Sequence, residues 1–170
     1  MRSIIACISI ALLAVPLANA ASSVEVVFKN PESFNDASLD SPGYERGADP
    51  YVMNALRSHI QKLGERYLPP NQALQIEIRN IDLAGRYEPW RPNAYDVRFM
   101  RDITWPSIDL HYVLKQSGEI VSQADARVMD QMYLQRPGRL SRSDRLYSEK
   151  AMLSDWFRRQ FAGKHQVGTN

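Results

Sequence analysis

Two runs of strict alternation constrain this chain more than any other feature. Leu74, Ile76 and Ile78 alternate with Gln75, Glu77 and Arg79, and Ile108, Leu110, Tyr112 and Leu114 alternate with Asp109, His111 and Val113. A period of two sends successive side chains to opposite faces, so both runs predict strands with one face to the core and one to water. A third run, Ile120 to Val128, follows after Gln116-Ser117-Gly118, which suits a three-residue hairpin loop with Gly118 in the left-handed conformation. That loop sets Lys115 opposite Glu119, Val113 opposite Val121, His111 opposite Gln123 and Asp109 opposite Asp125, all on the outward face.

The flanking segments supply the other elements. Val24, Val26 and Phe28 alternate with Glu25 and Lys29, a further strand, and the Pro-, Asp-, Ser- and Gly-rich stretch 30–49 reads as a loop. Asp49-Pro50 pairs an N-cap residue with proline at the first helical position. Val52, Leu56, His59/Ile60, Leu63 and Tyr67 then recur at helical spacing until Leu68-Pro69-Pro70 stops the ladder. Residues 80–105 carry mixed signals, with a short strand expected within Asp96–Met100 and Asp82 and Gly85 acting as turn formers, the Asp82 side chain on nearby backbone. After a polar loop at 130–143, Asp144 is expected to cap a last helix whose buried stripe is Leu146, the Lys150 stem, Leu153, Trp156/Phe157 and Phe161. Arg145–Glu149 and Asp155–Arg159 are its expected i,i+4 pairs.

The order β-α-β-β-β-α predicts an α+β two-layer sandwich: a four-stranded, largely antiparallel sheet with two helices on one face and the other face open. A single domain is expected over 21–162, with a disordered tail at 163–170. Arg2, the apolar run Ile4–Leu17 and Ala18-Asn19-Ala20 have the layout of a signal peptide cleaved after Ala20. The apolar run is shorter than the roughly 20 residues a spanning helix needs. Cys7 sits toward the start of that run and not at its end, against lipidation. The expectation is a periplasmic or secreted protein that is not transmembrane once the leader is removed.

Cys7 is the chain's 1 cysteine, so the mature protein has none. The fold must stand on packing, and thiol catalysis and cysteine metal sites are excluded. With 21 basic and 19 acidic residues the chain is close to neutral, which argues against a nucleic-acid binder. Basic residues are concentrated toward the C-terminus, leaving an anionic partner open.

Pro31-Glu32-Ser33-Phe34, Asp82-Leu83-Ala84-Gly85, Trp105-Pro106, Asp130-Gln131-Met132-Tyr133 and Tyr147-Ser148-Glu149-Lys150, continuing to Leu153-Ser154-Asp155-Trp156-Phe157, occur in a characteristic order and spacing. In these residues the chain resembles a bacterial family of exported proteins catalogued as domain of unknown function 3016, from Val24 to Phe161. The resemblance implies an envelope protein, and it carries no catalytic residues over.

Candidate sites follow from the residues themselves. Asp109, His111 and Asp125 on one sheet face could share a divalent cation or a proton, although the ordinary reading is a solvent-screened pair of carboxylates offset by Arg127. Val113 and Val121, with Val27, form a docking patch if the strand order makes them contiguous. Arg136, Arg139, Arg142 and Arg145 recur every third residue and either stay solvated or grip an anionic lipid or polymer. Tyr87 and Trp90, beside Arg86 and Arg91, either stack on a ligand or cover one end of the core. Trp105, Trp156 and Phe157 are assigned to the core, and His59 to its boundary.

None of the familiar catalytic or cofactor motifs is present, so no cofactor is expected. The leading expectation is a non-catalytic binding or interaction module engaging an envelope component, whether protein, polymer or anionic lipid. The alternatives are a small hydrolase using carboxylates with His111, and a self-associating structural protein that forms a homodimer.

Overall fold

A computed structural model describes residues 23–39, 47–137 and 143–162. The expected leader, the tail at 163–170, Arg139 and Arg142 lie outside the described residues. Strand β1 (Ser23–Phe28) leads through α1 (Pro50–Tyr67) to β2 (Gln72–Asp82). A small two-stranded sheet, β3 (Arg86–Tyr87) with β4 (Arg98–Phe99), interrupts the path to the hairpin β5 (Ser107–Gln116) and β6 (Glu119–Met129), and α2 (Tyr147–Phe161) closes the chain.

The main sheet has the order β1-β2-β5-β6, with β1 parallel to β2 and the other two pairings antiparallel. The parallel pairing follows from the β1-α1-β2 connection, since a helix returns the chain to the same end of the sheet. Helix α1 starts as its sequence requires, with Asp49 Oδ1 accepting the Val52 N–H at 2.7 Å and Pro50 in the first turn. Its buried stripe of Val52, Leu56, Ile60 and Leu63 meets the inward set Val26, Leu74, Ile76 and Ile78. Gly64 lies against β1, where a Cβ would overlap a γ-methyl of Val24. Helix α2 adds Met152, Leu153, Phe157 and Phe161, and packs Trp156 and Phe161 edge-on to Tyr112 with ring centroids 5.8 Å apart. His59 Nε2 ties the two helices together, lying 2.9 Å from the Lys150 carbonyl and 3.0 Å from Ser154 Oγ.

Several local expectations are corrected. The hairpin loop has two residues, not three: Gln116 pairs with Glu119, and Ser117 (φ 51°) and Gly118 (φ 90°) are both left-handed, the geometry of a type I′ turn. A bulge opposite Leu114/Lys115 then shifts the register, so Val113 faces Gln123, His111 faces Asp125 and Asp109 faces Arg127. The like-charged Asp109–Asp125 pair does not exist, because the shorter loop and the bulge each move the partners by one residue, two in all, which keeps the faces and changes the pairs.

Stretch 30–49 is more than a loop. It forms a 3-10 turn at Pro31–Ser33 and buries Phe34, Ala37 and Leu39. Helix α2 begins at Tyr147, two residues later than a cap at Asp144 implies; Asp144 instead accepts from the Leu146 N–H and from Lys150 Nζ. Neither i,i+4 pair forms: Glu149 turns into the core, and Asp155 pairs with Arg158 and Arg136. Trp105 is half-buried, unlike Trp156 and Phe157, which are core.

Candidate functional site

The open face of the main sheet is built by register. Val27, Glu77, His111 and Asp125 form one row across all four strands, and Glu25, Gln75, Val113 and Gln123 form the next. A bulge at Arg79 in β2 re-aims that side chain across β5. Its guanidinium holds Glu77 at 2.7 Å and Asp125 at 2.8 Å, while Lys29 approaches Glu77 at 3.5 Å. His111 Nδ1 lies 2.7 Å from the same Asp125 oxygen. The His111 hydrogen bond, helped by Arg79, holds the Asp125 carboxyl below its ordinary value, and the Arg79 hydrogen bond does the same for Glu77. Asp109 is turned to Arg127 at 3.6 Å.

Glu25, Val27, Gln75, Glu77, His111 and Val113 line a shallow depression of about 250 Å³ on this face. Gln75 Nε2 donates to Glu25 at 2.9 Å, which fixes its rim. The depression combines two valines with carboxylates and an imidazole, a composition suited to a ligand with apolar and polar parts. Of the expected docking valines, Val113 and Val27 share it. Val121, displaced by the bulge, lines a smaller pocket of about 160 Å³ with Leu114, Ser122 and Phe161.

The expected cation trio separates. His111 and Asp125 bond each other while Asp109 pairs elsewhere, and among the described residues no group of three or more His, Cys, Asp and Glu is placed to hold a metal ion. The arginine run is engaged within the protein where it is described: Arg136 bridges Asp130 and Asp155, and Arg145 Nη2 donates to the Leu39 carbonyl at 2.5 Å. Tyr87 donates to that same carbonyl, and Trp90 is 67% exposed.

A second polar cluster lies at the far end of β2, and sequence reasoning missed it. Arg98 spans both oxygens of Asp36 and donates to the Leu83, Ala84 and Gly85 carbonyls, with Arg86 joining Asp36 and Asp82. Burial, reinforced by the Asp36 charge, raises the Asp82 carboxyl despite Arg86. Glu88 is buried between Arg91 and Arg101; burial alone raises its carboxyl, and the two arginine hydrogen bonds reverse the direction. Gly85 (φ 80°) passes so close to Phe99 and Met100 that a Cβ would overlap them. Glu149 Oε1 accepts the Ala84 N–H at 2.7 Å, and burial raises its carboxyl. One signal was available: Glu149 sits three residues after Leu146 and four before Leu153, on the buried stripe of α2.

No helix among the described residues is long and apolar enough to cross a membrane. A search of curated proteins returns no match. Among solved structures the chain is similar to protein XCC0632 from Xanthomonas campestris, described by the family-model DUF330, at 12% identity. That likeness covers 82% of this chain and 77% of the other, with a TM-score of 0.35. Hydrogen bonds link Ala84 to Glu149, Gly85 to Thr104, Asp130 to Pro106 and Tyr133 to Arg101. A family model described as "Protein of unknown function (DUF3016)" matches residues 22–159, and the chain belongs to that family.

Proposed function

We propose that this protein is a non-catalytic binding module of the bacterial cell envelope, exported by its N-terminal leader, that engages its partner through the open face of the main sheet. The observation that carries this reading is the depression between β1, β2 and β5, where Val27 and Val113 stand beside Glu25, Glu77 and His111. It is wide and shallow, and its acids already have partners, a surface for recognition more than for proton transfer. The partner is an envelope protein or polymer presenting an apolar group with hydrogen-bonding neighbours.

The test is retention of envelope components on the immobilised mature protein, at low and high salt, by parent and Val113→Asp. A defined component held at high salt by the parent and released by the variant supports the reading. Equal retention by both, or none, overturns it. A hydrolase is the second reading, favoured by the 2.7 Å His111–Asp125 contact beside the depression. It requires turnover of an envelope polymer that His111→Ala abolishes.

A further inference from the structure

The two edges of the main sheet are finished differently. Strand β1 has 6 residues and runs into Asn30-Pro31, which ends its pairing capacity. Strand β6 has 11 residues, Glu119-Ile-Val-Ser-Gln-Ala-Asp-Ala-Arg-Val-Met129, without a proline or lysine, and no described residue pairs with its outer edge. Natural edges of such length are ordinarily blunted by proline, lysine, a bulge or a covering element, because their free N–H and C=O groups template another strand; on β6 the bulge is confined to Val121 near its start, and 122–129 pair regularly. Helix α2 covers only part of β6: Val128 is buried and Ala126 half-buried, whereas Ala124, which faces the helix side with Tyr112, is exposed. Of the ten large hydrophobic side chains left exposed among the described residues, Ile120, Val121, Met129 and Met132 lie on β6 or just past its end.

We propose that β6 pairs antiparallel with β6 of a second copy of this chain, about a two-fold axis at Ala124. The register is selected by the side chains. A two-fold axis normal to the sheet keeps each face on its own side, so each candidate register centres on a residue. Centring on Asp125 opposes two carboxylates, which is unfavourable. Centring on Gln123 sets Val121 against Asp125. Centring on Ala124 sets Ser122 against Ala126 and Gln123 against Asp125, an amide donor against a carboxylate. By the same count the exposed Ile120 of each strand comes opposite Val128 of the other, with Val121 opposite Arg127 and Met129 opposite Glu119. The second copy is therefore the occupant this edge fits, through self-complementary charge and apolar placement. The pairing joins two four-stranded sheets into one and leaves both open faces on the same side, where one extended ligand can engage both depressions.

The experiment uses the Cys7→Ser chain, which then contains no cysteine. Light scattering and sedimentation across micromolar concentrations are expected to give the mass of two copies. Ala124→Cys is expected to form a disulfide-linked dimer under mild oxidation, since opposed residues lie about 4.5–5.5 Å apart at Cβ, whereas Glu25→Cys at the other edge stays monomeric on a reducing-agent-free gel. Ala124→Lys, which places two cations at the axis, is expected to return the mass of one copy, still folded, with a melting temperature that no longer depends on protein concentration. A single-copy mass for the parent at every concentration overturns the proposal, as does a dimer that Ala124→Lys leaves intact or that cross-links through Glu25→Cys. Val113→Asp leaves the mass at two copies, so this proposal and the open-face reading fail separately.

Discussion

At the scale of residues, two titratable groups inside the fold make opposite demands. Glu149 is buried with one oxygen on the Ala84 N–H and the other, Oε2, as the one buried side-chain oxygen among the described residues without a partner. Burial raises its pKa, so the neutral acid is the form the fold favours. Its stabilising contribution is complete below the ordinary carboxylate value and is lost as pH rises through the raised one. Glu149→Gln keeps an acceptor for Ala84 and removes the titration. Thermal melts between acid and mildly alkaline pH are expected to show a flatter decline in the variant; an identical slope in both proteins would refute the assignment. His59 runs the other way. Burial lowers its pKa from the ordinary 6.5, so its contribution is complete above that value and is lost as pH falls through the lowered one. His59→Gln retains a donor toward the Lys150 carbonyl without a charge to gain. It is expected to melt at a temperature less sensitive to acidification below about pH 6.5 than the parent.

At the scale of elements, the contact of α1 with β1 depends on the absence of a side chain. Gly64 is a poor helix residue, and alanine there gains about 1 kcal/mol of helix propensity. The overlap with Val24 opposes this, since overpacking a tight contact costs about 1–3 kcal/mol. Gly64→Ala is expected to lower stability in denaturant titration, and Val24→Ala in the same chain is expected to restore part of it. The elements themselves were largely legible. Alternation located β1, β2 and β5, and the turn at Gln116-Ser117-Gly118 located β6; Asp49-Pro50 and the 52–67 stripe located α1; Leu153, Trp156 and Phe161 located α2. Register was not legible, because a bulge leaves a strand's alternation almost unchanged while moving every partner by one. Arg79 and the residue inserted near Val121 look like ordinary strand positions until the neighbouring strand is in place.

At the scale of the whole molecule, charge is divided between two places with different work. The cluster of Arg98, Asp36, Arg86 and Asp82 clamps stretch 36–39 to the end of β2, and the Arg98 side chain is only 11% exposed. Removing one partner of such a pair strands the other, at a cost of about 3–5 kcal/mol when fully buried. Arg98→Ala is expected to lower the melting temperature sharply, whereas His111→Ala on the open face is expected to change it little. Equal losses would mean that the face is also structural.

Sequence alone determined the order of elements, the two-layer class and the inward set of each strand, because periodicity and capping are local and each residue carries its own part of the pattern. Only the tertiary structure decided that β1 lies parallel to β2, that β6 forms a long edge strand, and that His111 meets Asp125 while Asp109 meets Arg127. Each of these is a relation between residues distant in the chain. The free energy that selects among such pairings comes from contacts that exist only after the strands have met, so no single segment encodes it.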